Sequence, residues 1–532
     1  MKKSPKSNSG FFSFNQINLK RKLVFIKHDK FLISRRKNLI KKTHMSNSNE
    51  GASAYETELN EWIRDEKAAI ELIHILGELW FDKSIELVIF RNQLVDRSAS
   101  EILQLHNYAL NMVGKPITIQ DTLLLSKEII QTEIAPARID IGRLATEWIN
   151  EKAAYESVTE FIADKLTAFL GTDKRVLKPK DIVLYGFGRI GRIAARELII
   201  QAGKGEQLRL RAIVTRSNSD EDISKRAALL RTDSVHGPFP GTIIEDFENK
   251  ALIINGHNVK MIAASNPATI DYTAYGISDA ILIDNTGASR DREGLSEHLK
   301  SKGIEKVLLT APGKGDIPNV VYGVNQSAFD HKTETIFSAA SCTTNAIVPV
   351  LKVIQKNLGI SSGHIETIHS YTNDQNLLDN YHKKYRRGRS AALNMVITET
   401  GAGSAVTKVI PELAGKLTSN SVRVPTPNVS LAILKLTVET NTSKEDVNSV
   451  LRNAALKGEL VEQIQYSISN ELVSSDLIGN PCASIVDSPA TIVANDKRNV
   501  ILYVWYDNEY GYTRQVIRYA KHLADVIRLT YY

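Results

Sequence analysis

The chain has 532 residues, with 67 Lys and Arg against 60 Asp and Glu, 42% apolar and 24% charged, a composition that fits a folded protein of two or three domains and excludes disorder throughout. The formal charge of +7 is uneven: residues 1–44 hold 13 Lys/Arg and one acid, Asp29, so that segment carries +12 and residues 45–532 carry −5. A mildly acidic body argues against reading nucleic-acid phosphates, no apolar run is long enough to span a membrane, and two cysteines, Cys342 and Cys482, build neither a disulfide framework nor a structural zinc site, so a reducing, cytoplasmic setting is expected.

Residues 1–44 mix Lys, Ser and Asn with short apolar clusters such as Leu23–Ile26, without the long apolar stretch and small-residue cleavage site of a secretory signal. They are also Lys-rich where a mitochondrial presequence has Arg and Ala. A leader that is disordered or not translated is expected, translation then starting at Met45. From about 54 to 170 the pattern is helical: Leu144, Trp148, Tyr155, Val158, Ile162, Leu166 and Phe169 recur at three, four or seven residues, and Gly171 sits where a helix would stop. Ser98 followed by Glu101 predicts a capping box. An all-α extension over 45–175 is therefore expected, with His74 and His106 packed among apolar residues and no catalytic constellation. Glu61-Trp62-Ile63 and Glu147-Trp148-Ile149 are each followed by Glu-Lys-Ala-Ala, a weak hint of a duplicated helix.

A polar, Lys-rich linker at 172–180 leads into short β-rich runs, Asp181–Tyr185, Leu208–Thr215, Ala280–Asp284 and Lys306–Thr310, that alternate with helical stretches. This is the rhythm of parallel βαβ units. Gly186-Phe187-Gly188-Arg189-Ile190-Gly191 follows the first strand and opens the helix Arg192–Gln201. Glycines there let backbone approach a pyrophosphate, and the helix start supplies N–H donors. At the end of the next strand, Thr215-Arg216-Ser217-Asn218 offers a cation where an NAD site wants a carboxylate, and the first acid is Asp220. NAD or NADP is expected, with NADP favoured; the competing expectation is that Arg216 is solvated and pairs with Asp220 or Asp222.

Ser341-Cys342-Thr343-Thr344-Asn345 follows an extended run, Thr335–Ser338, and precedes the apolar helical stretch Ala346–Asn357. A cysteine at a helix start has its thiolate stabilised by the dipole and by free N–H groups, which makes Cys342 a candidate nucleophile.

From about 181 to its end the chain resembles the phosphorylating glyceraldehyde-3-phosphate dehydrogenases. The stretches that carry the resemblance are GFGRIGR (186–192), DSVHG (233–237), NTG (285–287), TAP (310–312), SAASCTTN (338–345), HSYTNDQ (369–375), RRGRSAALN (386–394), TG (400–401), KVIPELAGKL (408–417), VRVPTPNVS (422–430) and WYDNEYGYT (505–513). The resemblance implies an α/β fold: a Rossmann-type NAD(P)-binding domain over 176–341, completed by a C-terminal helix at 513–532, and an α+β catalytic domain over 342–512.

It further implies oxidation of glyceraldehyde 3-phosphate to 1,3-bisphosphoglycerate, reversible and serving glycolysis or gluconeogenesis. Cys342 would form a thioester, with His369 holding it as a thiolate and acting as base. The implied cofactor contacts are the 186–191 loop, Thr286, Gly287, Thr310, Asn508 and Tyr512. The implied anion contacts are Ser341, Thr343, Arg387, Thr400 and Gly401 for inorganic phosphate, and Thr372 and Arg423 for the substrate phosphate. A homotetramer is implied as well, with no metal and no need of a membrane or nucleic acid. Departures from the family pattern are Ala346 in place of a second cysteine, Arg216 in place of an acid, Ser265 in place of an Arg, and Asp379-Asn380-Tyr381 where a Pro is common. The alternatives are oxidation of a related sugar phosphate, erythrose 4-phosphate, with water as acceptor, and a non-catalytic scaffold working through the extension.

Overall fold

A computed structural model of the chain describes residues 54–110, 116–171 and 177–532; the basic leader and residues 172–176 of the expected linker lie outside these. Two compact units divide between Arg64 and Asp65. The described part of the first is the opening of helix α1 (Ala54–Phe81), and every other element belongs to the second.

The extension is helical over most of its length, as its periodicity predicts. After α1 come α2 (Ala99–Tyr108), α3 (Ile119–Gln131), α4 (Ile141–Glu151) and α5 (Val158–Lys165). The capping box at Ser98 and Glu101 forms, and Thr118 with Asp121 makes a second one at the start of α3. The apolar faces close a core of their own, in which the Phe161 ring lies 5.2 Å from both Trp148 and Tyr155. His106 is packed as expected, its ring nitrogens on Ile102 O and Thr122 Oγ1, whereas His74 is exposed.

The expectation of helices alone needs correcting. Three short strands, β1 (Glu86–Ile89), β2 (Asn92–Gln93) and β3 (Ala137–Asp140), form a sheet within the extension. Runs of two to four residues are too short to display a period of two, so the helical spacing around them hides them. Asp140 ties sheet to helix. Its carboxylate caps α4 by accepting from the N–H groups of Gly142 and Arg143, and it accepts from Phe90 and Arg91 at 2.9 and 3.2 Å.

The next segment is a doubly wound α/β layer. Its elements are β4 (Lys180–Tyr185), α6 (Arg189–Ile200), β5 (Leu208–Thr215), α7 (Asp220–Arg231), the ribbon β6 (Thr232–Asp233) with β7 (Gly237–Pro238), β8 (Ile243–Asp246), β9 (Ala251–Ile254), β10 (His257–Ala263), β11 (Ala280–Asp284), α8 (Arg292–Ser296), β12 (Ile304–Leu309) and β13 (Ile336–Ser338). The sheet order is β13-β12-β11-β4-β5-β10-β9-β8, parallel from β13 as far as β10. In such a sheet the ligand crevice lies beyond the C-terminal strand ends, where the connections diverge.

The following α+β part begins with α9 (Cys342–Leu358) and β14 (Ile360–Ser370), followed by β15 (Val396–Thr398), α10 (Ala402–Val409), β16 (Leu417–Val424), β17 (Ser430–Val438) and α11 (Lys444–Leu456). It continues through β18 (Ile464–Ser467), β19 (Ser484–Asp487), β20 (Ile492–Val493) and β21 (Asn499–Tyr506). The mixed sheet runs β15-β16-β14-β17-β21-β19-β18, with β20 against β21. Helix α12 (Tyr510–Leu523) returns to the nucleotide-binding layer and buries Val516, Ile517 and Tyr519 in its core.

The C-terminal helix expected to reach residue 532 stops at Leu523. Asp525 takes a φ of 55°, which breaks the helix, and the tail becomes β22 (Leu529–Tyr531), paired in parallel with β3 of the extension. The last residues of the chain thus complete a sheet begun near its start. A second clasp is Arg91, between β1 and β2, which donates to the carbonyls of Ala455 and Val461 beside the C-terminal end of α11. A chain beginning at residue 177 would lose the partner of β22 and uncover the apolar residues of that seam. It should lose solubility or unfold at a clearly lower temperature than the full chain, as read by light scattering and thermal melts; an equally soluble and equally stable fragment would contradict this.

Candidate active site

Cys342 is the first residue of α9, with Ser341 as N-cap: the Ser341 hydroxyl accepts from the Thr344 N–H at 3.0 Å. The helix therefore starts at the cysteine itself, four residues before the apolar stretch that announces it. Ala340, two residues back, is held in the left-handed region at φ 54°. Three bonds fix this turn: the Ser338 hydroxyl accepts from Ala340 N–H, Tyr512 OH donates to Ala340 O at 3.0 Å, and Asn345 Nδ2 donates to Ala339 O at 2.8 Å. Tyr512, expected beside a cofactor ring, thus also braces the nucleophile's turn.

His369 lies one residue from the end of β14, and its Nε2 is 3.6 Å from Cys342 Sγ. Its Nδ1 is 2.7 Å from Ser370 O, which favours the tautomer with the proton on Nδ1 and a lone pair facing the sulfur. Arg423 is the register partner of His369 on the parallel strand β16; its guanidinium donates to Ser370 O at 3.0 Å and lies 3.1 Å from Nδ1. Burial, and then the nearby Arg423 charge, pull His369 down to about 3. Burial pushes the Cys342 thiol up, against the pull of Arg423 and of local hydrogen bonds to Thr343. Both shifts work against charge on the pair, because a buried charge pair must recover its lost hydration.

This pair opens on a cleft of about 850 Å³ whose walls include Arg189, Ile190, Thr286, Gly287, Thr310, Ser341, Thr372, Asn508 and Tyr512. Thr343, Arg387, Thr400, Gly401 and Arg423 are not among the lining residues. Thr343 Oγ1 is instead 3.0 Å from Tyr506 OH, and Arg387 is held by Thr398 and Asp374, the latter itself a lining residue. Arg387 is still close enough to Arg423 and His369 for its charge to be felt by both. Thr400 and Gly401 stand just before α10, where the Ala402 N–H donates to Thr400 Oγ1 at 3.2 Å.

The glycines of the loop are placed under separate steric constraints. A Cβ on Gly191 would fall 2.4 Å from Gly186 O, one on Gly186 would strike Thr286 Cγ2, and one on Gly188 would meet open space. Gly188 is the N-cap of α6 and offers no side-chain acceptor, so the N–H groups of the first turn remain available to an anion. Phe187 is buried in the core beneath, and Asn285 Oδ1 is a buried acceptor without a hydrogen-bond partner on the cleft wall. A nicotinamide dinucleotide fits this cradle. Arg189 contributes backbone only, because its guanidinium is taken up by Asp233, at 2.9 and 3.1 Å, and by Glu509.

Sequence reasoning gives Asp233 and Glu509 no role, although both stand in stretches that carry the family resemblance. By pinning Arg189 they connect the glycine loop to the segment that bears Asn508. Asn508 Oδ1 in turn accepts from Ser430 Oγ at 2.8 Å, which leaves its amide N–H groups for a ligand. Asp284 is another such support: it accepts from Thr286 N and Oγ1 and faces His298 Nε2 at 3.3 Å, while Thr310 Oγ1 donates to its carbonyl.

A second cleft, of about 490 Å³, shares Thr286 with the first and includes Gly186, Gly188, Arg216, Arg226 and Ser265. Arg216 is exposed and makes no ion pair among the described residues. The acids that could compete for it are engaged elsewhere, Asp220 with Lys250 at 2.6 Å and Asp222 with Ser219 at 3.1 Å. Arg226 adds a second guanidinium, whose buried Nε has no acceptor.

Comparisons with known proteins agree with this geometry. Residues 180–292 match the family model described as glyceraldehyde 3-phosphate dehydrogenase, NAD binding domain, and residues 341–508 match that of its C-terminal domain. A "glyceraldehyde-3-phosphate dehydrogenase-like protein" of Pseudomonas aeruginosa (strain UCBPP-PA14) is 48% identical over 458 residues, which cover 86% of this chain and 98% of the relative. That likeness runs on into the extension. The glyceraldehyde-3-phosphate dehydrogenase of Zymomonas mobilis is 40% identical over 347 residues, 65% of this chain and 99% of its own, and a Synechocystis enzyme called glyceraldehyde-3-phosphate dehydrogenase 2 is 42% identical over 348 residues, 64% of this chain and 98% of its own.

Because its thiol is pushed up and its histidine pulled down, Cys342 in the ligand-free protein should be alkylated by iodoacetamide at a rate that keeps climbing with pH past the ordinary thiol range, about 8.5. A rate already level below pH 7 would show a resting thiolate–imidazolium pair instead. Cys482, buried and also pushed up, should react only after unfolding.

Proposed function

Because the chain belongs to the glyceraldehyde 3-phosphate dehydrogenase family, and is therefore an oxidoreductase that uses a nicotinamide dinucleotide, we propose that it oxidises glyceraldehyde 3-phosphate to 1,3-bisphosphoglycerate through a thioester on Cys342. The observation that carries this reading is the 3.6 Å approach of Cys342 Sγ to His369 Nε2 at a helix start, beside two guanidiniums. The glycine loop and Asn508 would hold the dinucleotide, whose nicotinamide would supply the hydride acceptor.

The rest is the work of the chain. His369 Nε2 takes the thiol proton as sulfur attacks the aldehyde carbon, and returns it to the oxygen that becomes a hydroxyl. His369 then removes that hydroxyl proton while the carbon loses its hydride, which leaves the thioester and an imidazolium. An oxygen of inorganic phosphate attacks the thioester carbon, the C–S bond breaks, and the departing sulfur recovers its proton from His369; the phosphate proton is released. Arg423 supports the substrate phosphate and Arg387 the attacking one, with Ser341, Thr343, Thr372, Thr400 and Gly401 as neutral donors. An anion beside Arg423 also offsets the charge that depresses His369, so substrate binding makes the base more basic when it is needed.

Arg216 and Arg226, with Ser265 in place of a larger side chain, suit the 2′-phosphate of NADP. The loop bearing Leu377, Leu378, Tyr381, Tyr385, Leu393 and Met395, each at least 73% exposed, has the apolar surface that a second copy would cover, which supports a homotetramer.

Initial rates with glyceraldehyde 3-phosphate and either cofactor should require phosphate. Phosphate-independent turnover would favour water as acceptor and the erythrose 4-phosphate alternative. Cys342→Ser should abolish oxidation while cofactor binding persists, and His369→Asn should slow turnover by about 10²–10⁴. Equal loss from Cys482→Ser would sink the assignment. Arg216→Asp should raise the NADP Michaelis constant at least about tenfold, roughly 1.4 kcal/mol, with NAD use level or improved; unchanged constants for both would refute the NADP preference and leave the chemistry untouched.

A further inference from the structure

Arg514, Arg518 and Lys521 lie on one face of α12 at the i, i+4, i+7 spacing, and that face meets the sheet of the extension. There they enclose, with Arg138 of β3 and Arg528 just before β22, a cavity of about 60 Å³ in which five cations face two carboxylates, Glu86 and Glu462. Arg514 is 6% exposed and Arg528 5%.

Cations buried to this degree need partners, and only part of that need is met. Arg138 donates to Glu462 and Tyr532 OH, Arg514 to Glu197 at 2.6 Å, Arg518 to Pro481 O and Gln515 Oε1 at 3.1 Å, and Lys521 to Gln201 at 2.9 Å, while the Arg528 guanidinium lies 4.6 Å from the centre of the Trp80 ring. The buried Nε atoms of Arg138, Arg514, Arg518 and Arg528, and one terminal nitrogen of Arg528, have no hydrogen-bond acceptor. The carboxylates closest to them stand at 3.3 Å (Glu86 to Arg138 Nε), 3.4 Å (Glu462 to Arg518 Nε) and 3.9 Å (Glu86 to Arg528), beyond good hydrogen-bond geometry. Burial, reinforced by the surrounding guanidiniums, brings Lys521 down to about 7 in spite of Glu86.

Volume and charge together define what is missing. A cavity of this size has room for roughly four water-sized oxygens. With Glu197 included, three carboxylates oppose four guanidiniums and a lysine that is only partly charged near neutrality, so an anion closes the balance. We infer that this cavity binds one tetrahedral oxyanion, of the size and charge of inorganic phosphate or sulfate, which cements the extension to the C-terminal helix at a place separate from the cleft of Cys342. Two segments distant in sequence would share the ion, the one bearing Arg138 and the C-terminal one bearing the α12 cations and Arg528. Its binding therefore stabilises the docked extension.

The test is thermal unfolding of the full chain carrying Arg387→Gln, which weakens any anion site near Cys342, in phosphate, sulfate or chloride at one ionic strength. Phosphate and sulfate should each raise the midpoint by at least about 2 °C over chloride, and adding Arg528→Gln should remove the difference. Equal midpoints in the three salts, or a rise that survives Arg528→Gln, would overturn the inference. Should the Arg528 variant fail to fold, equilibrium dialysis of the Arg387→Gln chain with radiolabelled phosphate, with and without Arg518→Gln, decides the matter: Arg518→Gln is expected to remove one bound ion per chain, and an unchanged stoichiometry refutes the site.

Discussion

The turn that delivers Cys342 to the floor of its cleft is the constraint on which the site depends. A strand of the nucleotide-binding layer ends at Ser338 and helix α9 starts at Cys342, so the chain must reverse within three residues and passes through a left-handed alanine to do so. Such a backbone costs about 1–3 kcal/mol and persists only where neighbours over-determine it. Ser338, Asn345 and Tyr512 supply that determination. Tyr512 comes from the far end of the chain, so the Cys342 sulfur is positioned only once α12 has packed back onto the first sheet. Nucleophile geometry and domain closure are in this sense one event.

Electrostatics gives the site its second character. Two cations act on His369: Arg423 sits next to the imidazole by strand register, and Arg387 is near enough to be felt. Burial first, and the Arg423 charge second, pull His369 down, and burial pushes the Cys342 thiol up.

The extension is joined to the body by backbone pairing and by charge. Strand β22 inserts the C-terminus into a sheet whose other strands all come from the extension, and Arg91 reaches the end of α11. Beside these two clasps lies the cationic cavity lined by α12, the same helix that carries Tyr512 toward Cys342. One helix therefore faces the Cys342 turn at its start and the extension farther along.

The nucleotide loop, the cysteine at a helix start, the parallel βα rhythm and the helical nature of the extension were all legible in the sequence, because each is carried by residues close to one another along the chain: Gly186 to Gly191, Ser341 to Asn345, Ser98 to Glu101. The roles of His369, Arg423 and Asn508 came only through resemblance to a family. What tertiary structure alone decided is long-range: the register that sets Arg423 beside His369, the capture of Arg189 by Asp233 and Glu509, and the C-terminal tail as a strand of the extension's sheet instead of a continued helix. Spacing along a chain encodes local hydrogen bonds and amphipathic faces, whereas strand partners 54 or 392 residues apart, as in His369–Arg423 and Tyr531–Ile139, are chosen by packing and burial, and the protonation of a buried thiol and imidazole follows from that choice.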